Sequence, residues 1–172
     1  MRRRSLLYGL ATTFILPLGA CGLGHASDRQ MISWFRKNED LFNRLVGMAR
    51  SEPIVRRIAA DFLKTEMETF NYPQTPSGFT VERWNDYRKL FKLLRLEMGI
   101  EFWNRDAVWL HATSLGIVVS GSTKGYVWST RSLEPLVSSL DPPLPAEGEL
   151  PGDDYIAYRA IDESWYLALE MS

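Results

Sequence analysis

Apolar residues recur at helical spacing soon after a short polar stretch near the N-terminus. Between residues 31 and 49 the apolar positions follow a period of about 3.6 residues, and charged side chains fill the positions between them. Ser27 precedes Gln30 by three residues, a spacing typical of the capping box at a helix start. Since Pro53 cannot continue a helix, the pattern predicts one amphipathic helix that begins after Ser27 and ends before Pro53.

The next segment, residues 54–70, fits two periods. Residues 58–66 suit a strand as well as a helix, and we assign the whole segment to a helix. The positions that suit the helix are Ile54, Ile58, Phe62 and Met67. Residues 71–79 contain two prolines and a glycine, which predicts a loop.

A further helix is predicted from Thr80 to Met98. Thr80 is a typical N-cap residue, and the apolar positions again follow the helical period. Glu82 and Asp86 lie early in the segment and Lys89, Lys92 and Arg95 lie late, which complements the helix dipole. Gly99 is the residue type expected just past a helix C-terminus.

From Ile100 onward the apolar period changes to two. Residues 108–113 and 117–119 are predicted strands separated by a turn at residues 114–116, and residues 121–125 are predicted to form the turn into a strand at 126–128. Residues 132–140 are a short connector, and residues 141–154, rich in proline and glycine, exclude regular structure.

Residues 155–161 and 165–169 alternate again and predict a closing hairpin. Strands adjacent in sequence favour antiparallel pairing. The predicted fold class is therefore α+β, with amphipathic helices in the N-terminal half packed on an antiparallel β-meander in the C-terminal half.

The first residues have the layout of a secretory signal. Arg2, Arg3 and Arg4 precede an apolar stretch at residues 5–16, and small residues follow. That stretch spans about 18 Å as a helix, which is short of a hydrocarbon core of about 30 Å. A permanent transmembrane helix is therefore not predicted.

The run Leu18-Gly19-Ala20-Cys21 resembles the lipobox of bacterial lipoproteins. The resemblance implies cleavage between Ala20 and Cys21, a thioether-linked diacylglyceryl group on Cys21 and an amide-linked acyl chain such as palmitate. Several acyl chains bind a bilayer stably. Because Gly22 replaces the aspartate that retains such proteins at the inner membrane, the expected address is the outer membrane, on its periplasmic face.

Three segments follow from this interpretation. Residues 1–20 are the signal peptide, residues 21–27 are the acylated cysteine and tether, and residues 28–172 form a single α+β domain. The alternative is a free thiol near an ordinary secretory cleavage site. Since the only cysteine is committed to lipid, stability must come from packing, for which six tryptophans are present.

The net charge of the mature chain limits the kinds of partner that it can bind. Loss of the three arginines leaves 17 basic against 21 acidic side chains, so the net charge of the mature chain is −4. Such a domain is a poor candidate for binding nucleic acid or for lying flat on anionic lipid.

Few residues carry candidate chemistry. His25 and His111 are the only histidines and lack ligand-spaced neighbours, so neither a metal nor a cofactor is expected. Ser122 and Lys124 permit a Ser-Lys dyad or a phosphate-binding turn, but glycines flanking polar residues are more typical of a hairpin. We therefore assign no catalytic residues.

The acidic segment 141–154 is the candidate partner-binding region. Long loops in compact domains tend to be functional or disordered, and prolines reduce the entropy lost on docking, although a tolerated insertion is the simpler explanation of the segment. Its negative charge would suit a protein partner with a basic surface. The candidate residues are Asp141, Glu147, Glu149, Asp153 and Asp154.

Residues 121–129 and 135–141, with Tyr158-Arg159 and Trp165-Tyr166, resemble small proteobacterial lipoproteins of unassigned function. Some lipoproteins of this size and address are immunity proteins that neutralise toxins delivered into the periplasm. The resemblance implies a non-enzymatic binding protein of that kind. The alternatives are an envelope structural or assembly lipoprotein and an enzyme whose site is assembled from scattered residues.

Overall fold

The computed structural model describes residues 24–104, 106–117, 120–142 and 155–172. Over these residues the chain forms three helices and one antiparallel sheet of eight strands, which confirms the α+β class. The helices are α1 Asp28–Lys37, α2 Glu39–Arg50 and α3 Val81–Leu94. The strands are β1 Val55–Ile58, β2 Phe62–Thr65, β3 Thr69–Asn71, β4 Gly99–Asn104, β5 Ala107–Ile117, β6 Ser120–Ser129, β7 Tyr155–Ala160 and β8 Trp165–Met171.

Helix α1 begins at the predicted capping box. The Ser27 hydroxyl accepts from the backbone N–H of Gln30, and the Gln30 side chain accepts from the backbone N–H of Ser27 at 3.0 Å. The prediction of one continuous helix as far as Pro53 is wrong, because the chain breaks at Asn38. The Asn38 amide Nδ2 donates to the carbonyl of Trp34 at 2.8 Å, which satisfies one carbonyl at the end of α1, and α2 begins at the next residue.

The helix assigned to residues 54–70 is also wrong, since this segment forms β1, β2 and β3. Ile58 pairs with Leu63 on β2 and with Ile100 on β4, and all three side chains are buried. The apolar residues of this segment can be buried by a helix or by strands, so their spacing does not distinguish the two. Pairing of β1 with β4 and burial under the helices favour the strands.

Helix α3 starts where predicted, because the Thr80 hydroxyl accepts from the backbone N–H of Arg83 at 3.1 Å. Its predicted end is wrong. The helix stops at Leu94, and Arg95 takes the left-handed conformation with φ 58°. Gly99 does not terminate the helix but opens β4 with φ +76°.

The predicted turns at residues 114–116 and 121–125 are wrong, because both segments lie inside long paired strands. Strands β5 and β6 pair from Ile117 opposite Ser120 to Ala107 opposite Ser129, and the residues between them, 118–119, lie outside the described part. Gly125 is needed within β6 for close packing: a Cβ there would lie 2.3 Å from the Leu110 carbonyl oxygen and 2.8 Å from Trp109 Nε1.

The closing hairpin is confirmed as β7 and β8. The sheet order is β3-β2-β1-β4-β5-β6-β8-β7, so β8 rather than β7 lies beside β6. At the end of β8, Ser172 and Gly121 exchange two backbone hydrogen bonds of 2.9 Å. Within the connector, Leu136 forms a parallel bridge with Tyr158 at the outer side of β7. Most of the predicted proline-rich loop, residues 143–154, lies outside the described residues.

The main core lies between the three helices and one face of the sheet. At its centre, the Phe35 ring is 5.0 Å from the Trp165 ring, and the Phe42 ring is 4.6 Å from the Tyr126 ring, measured between centroids. These contacts join α1 and α2 to β6 and β8. They also fix the start of α1 over the sheet, where the polar residues of the next section meet.

Candidate binding site

A buried group of charges holds the start of α1 on the sheet. Asp28, the first residue of α1, is fully buried, and its Oδ1 lies 2.7 Å from Lys124 Nζ on β6. Its Oδ2 accepts from Arg159 Nη1 on β7 at 2.7 Å. The side chain of Lys124 is only 2% exposed, so its charge depends on these partners rather than on water.

Asp141 completes this group, which we call the Asp28 network (Asp28, Lys124, Asp141 and Arg159). The backbone N–H of Asp28 donates to both carboxylate oxygens of Asp141, at 2.9 and 3.1 Å, and Lys124 Nζ donates to Oδ1 at 2.9 Å. Asp141 therefore places a negative charge at the N-terminus of α1, where the helix dipole favours it. Two carboxylates and two cations balance one another.

The network also sets the protonation state of Asp28. Burial by itself would raise the pKa of this carboxyl, but the contacts from Lys124, the Leu140 backbone N–H and Arg159 outweigh burial and lower the pKa below its usual value. Asp28 therefore stays ionised at neutral pH and holds both cations.

His25 fixes the tether to two strands. Its Nδ1 lies 2.6 Å from the Thr113 hydroxyl on β5, and its Nε2 lies 2.8 Å from the Ser122 hydroxyl on β6. Burial, and then the nearby charge of Lys124, lower the pKa of His25. The imidazole is therefore neutral at neutral pH, and one ring nitrogen donates while the other accepts.

This geometry predicts how stability depends on pH. Because the folded pKa of His25 lies below 6.5, the unfolded chain binds more protons there, and the free energy of unfolding should fall as pH drops from 6.5 to that lowered pKa. Asp28 adds a second loss at lower pH, below 3.8, as its carboxylate is protonated. Urea unfolding followed by tryptophan fluorescence across this pH range measures both losses.

The matched variant is His25→Asn, which keeps a polar side chain but does not titrate. We expect this variant to lose the pH dependence just below 6.5 and to keep the dependence below 3.8. An unchanged slope in the first window would contradict the assignment to His25.

A cleft of about 560 Å³ opens beside the tether, between α1 and the end of α3. Strands β5 and β6 form its floor. Arg95 lies over the Trp34 ring, 4.2 Å from the ring centroid, and Trp34 Nε1 donates to the Leu94 carbonyl at 3.3 Å. The lining residues are Ala26, Arg29, Gln30, Met31, Ser33, Trp34, Lys37, Leu94, Arg95, Glu97, Ala112, Thr113 and Tyr126.

The residues weighed for catalysis do not act on each other. Ser122 contacts His25, whereas Lys124 is held by Asp28, Asp141 and the carbonyl of Ala26, so the two side chains form no Ser-Lys dyad in this structure. Residues 121–125 are extended within β6, so they do not form the turn that was considered for phosphate binding.

His111 is buried on β5, with Nε2 3.3 Å from Glu101 Oε2 and its ring stacked on Trp109 at 4.4 Å between centroids. Within the described ranges, no group of three or more histidine, cysteine, aspartate or glutamate side chains is arranged to hold a metal ion. Across the same ranges, no helix is both long and apolar enough to cross a bilayer.

The remaining predicted site residues lie outside the described part of the chain. These are Ala20, Cys21, Glu147, Glu149, Asp153 and Asp154. Asp141 is described, and its carboxylate belongs to the Asp28 network, with about a third of its side chain exposed.

The sequence interpretation missed Asp28, Arg159 and the pairing of Trp34 with Arg95. One signal was available for the network. Lys124 lies on the same core-facing side of β6 as Tyr126 and Trp128. A cation buried on that side requires a carboxylate as its partner. Nothing in the sequence indicates which of the many carboxylates supplies it.

Comparisons of this chain with protein-family models, curated proteins and solved structures give no match.

Proposed function

We propose that this protein is a lipoprotein of the bacterial envelope, anchored through acylated Cys21 in the outer membrane and facing the periplasm, that binds a protein partner without catalysing a reaction. The observation that supports the proposal is the capture of the tether by His25 and Asp28. His25 lies four positions after Cys21, and an extended chain spans about 3.5 Å per residue, so the anchor would lie within about 14 Å of His25 on the sheet. A domain held this close to a bilayer would keep its His25 side near the membrane.

The kind of partner is proposed from the sequence resemblance. A toxin delivered into the periplasm must be met there by its immunity protein, and a short, fixed tether would keep the domain at the envelope throughout. The prolines of the acidic segment 141–154 would reduce the entropy cost of docking on a basic surface of such a toxin. The binding surface would then start at Asp141, beside the tether.

Replacing Cys21 with serine tests the anchor. We expect the wild-type protein in the membrane fraction, with the mass of a triacylated mature chain, and the Cys21→Ser variant without that modification. Fractionation and intact-mass spectrometry measure both. An unmodified wild-type cysteine would overturn the proposed address.

The immunity function is tested in cells that lack the protein. A deletion strain should become sensitive to a periplasm-directed toxin from neighbouring cells, and the wild-type gene should restore resistance. Restoration should fail when Glu147, Glu149, Asp153 and Asp154 are all replaced by their amides. Equal survival of the deletion and wild-type strains would count against immunity and in favour of an envelope structural role.

A second candidate function is suggested by the contact between Ser122 and His25. A neutral imidazole with Nε2 2.8 Å from a serine hydroxyl is the arrangement of a nucleophile and its base. Ser122 lies opposite Leu115 on β5 and Met171 on β8, so the backbone around it takes part in strand pairing on both sides. Loss of function in Ser122→Ala, with stability and partner binding unchanged, would favour an enzyme.

A further inference from the structure

Basic residues gather around the cleft between α1 and α3, although the chain as a whole carries a slight negative charge. Arg29, Lys37 and Arg95 line the cleft together with a single carboxylate, Glu97. A second depression of about 660 Å³ shares Arg95 and Glu97 and adds Arg88, Lys89 and Lys92. The two depressions form one positively charged surface with Arg95 at the junction.

The inner part of the cleft is apolar. Met31 and Tyr126 are buried, and Trp34 is partly buried beside them. The polar atoms of the two aromatic rings are already engaged, since the Tyr126 hydroxyl donates to the Met31 carbonyl at 3.1 Å and Trp34 Nε1 donates to the Leu94 carbonyl. Trp34, the more exposed of the two rings, therefore offers a ligand mainly carbon surface.

Arg95 is held in place at the mouth. It is the only non-glycine residue with positive φ in the described chain, and its guanidinium stacks on Trp34. Stacking uses the faces of a guanidinium and leaves the N–H donors in its plane for hydrogen bonds, an arrangement that suits a carboxylate. A side chain fixed beforehand loses little entropy when it binds.

We infer that this cleft binds an acidic segment of a protein partner, with a carboxylate on Arg95 and a neighbouring apolar side chain against Trp34. The inference depends on the proposed function in one respect, that the partner is a protein. A bilayer is the less suitable occupant, because the aromatic rings lie inside a concave site instead of projecting from it. The contact would be opposite in charge to the one proposed for segment 141–154.

The test uses the purified protein in a neutral detergent, whether or not it is acylated, and a fluorescent twelve-residue peptide of alternating glutamate and leucine. Fluorescence anisotropy should show saturable binding that weakens as salt is raised. The same peptide with glutamine in place of glutamate should bind at least tenfold more weakly. Equal binding of the two peptides would overturn the inference, since the carboxylates would then contribute nothing.

Arg95→Glu should weaken binding of the glutamate peptide at least tenfold, whereas Arg44→Glu, which makes the same charge change on an exposed position of α2, should leave it within twofold. Arg95→Lys should fall between them, because an ammonium keeps the charge but loses the planar fork. Arg95→Gly suits the left-handed conformation and tests the same contact if Arg95→Glu does not fold. Equal effects at positions 44 and 95 would overturn the inference.

Vesicles of phosphatidylethanolamine with one third phosphatidylglycerol provide the remaining arm. Binding of the Cys21→Ser protein to these vesicles that depends on Arg95, and that the peptide does not displace, would assign the surface to lipid and overturn the inference. The peptide titration requires neither a toxin nor acylation. Its failure would leave the proposed anchor and immunity function intact, and loss of those would leave the titration result intact.

Discussion

Replacing Asp28 with alanine is expected to lower the free energy of unfolding by about 3–5 kcal/mol at pH 7, because it leaves the buried ammonium of Lys124 with less compensation. The variant also removes the acceptor for Arg159 and for the Leu140 backbone N–H. Urea unfolding followed by tryptophan fluorescence measures the loss.

Two comparisons make this prediction specific. Asp86→Ala removes a carboxylate whose partner, Lys89, is exposed, and such surface pairs contribute only about 0–1 kcal/mol. Combining Asp28→Ala with Lys124→Met removes the buried cation as well, so the double variant should be less destabilised than the sum of the two single variants. A loss for Asp28→Ala no larger than that for Asp86→Ala would show that the network does not hold the fold together.

Replacing Gly99 with alanine is expected to destabilise the protein by about 3 kcal/mol or more, because left-handed backbone and steric overlap each cost about 1–3 kcal/mol. Gly99 has φ +76°, and a Cβ there would lie 2.0 Å from the Ile58 carbonyl oxygen and 2.8 Å from Ala59 Cα. Relief of this overlap would have to separate β1 from β4. Urea unfolding of the purified variant measures the effect.

Gly47 provides the control. It lies inside α2 with open space around its Cα, so Gly47→Ala should raise the free energy of unfolding by about 0.5–1 kcal/mol. The opposite signs at the two glycines distinguish a backbone requirement from a general effect of adding a methyl group. The prediction for Gly99 is wrong if both variants are equally stable.

The parts of the fold that the sequence predicted depend on local interactions. The capping box of Ser27 and Gln30 and the hydroxyl cap of Thr80 join residues three apart, so their spacing alone indicates them. The closing hairpin is local in the same way. At these points, contacts between residues close in sequence determine the path of the chain.

Segments whose partners lie far away in the chain were predicted poorly. Ile54, Ile58 and Phe62 have helical spacing, but β1 is fixed by its pairing with β4, more than forty residues later. The glycines of β6 suggested a turn, but Gly125 serves the packing of Trp109 on the neighbouring strand β5. In both cases a distant contact outweighs the local pattern.

The candidate site was the least predictable feature for the same reason. Its charges come from positions 28, 124, 141 and 159, and each belongs to a different element or connector. A sequence indicates that a cation on an inward strand position needs a carboxylate, but only the topology brings α1, β6 and β7 together at one point.

The hydrogen bonds between Ser172 and Gly121 affect how the protein should be labelled. Gly121 adjoins Ser122, the residue that contacts His25, so Ser172 lies beside the tether. If the proposed anchor is correct, a fluorescent protein fused behind Ser172 would emerge beside the tether and crowd the bilayer. The turn between β7 and β8 lies about 20 Å away at the far end of β8, and it is the better place for an epitope in localisation studies.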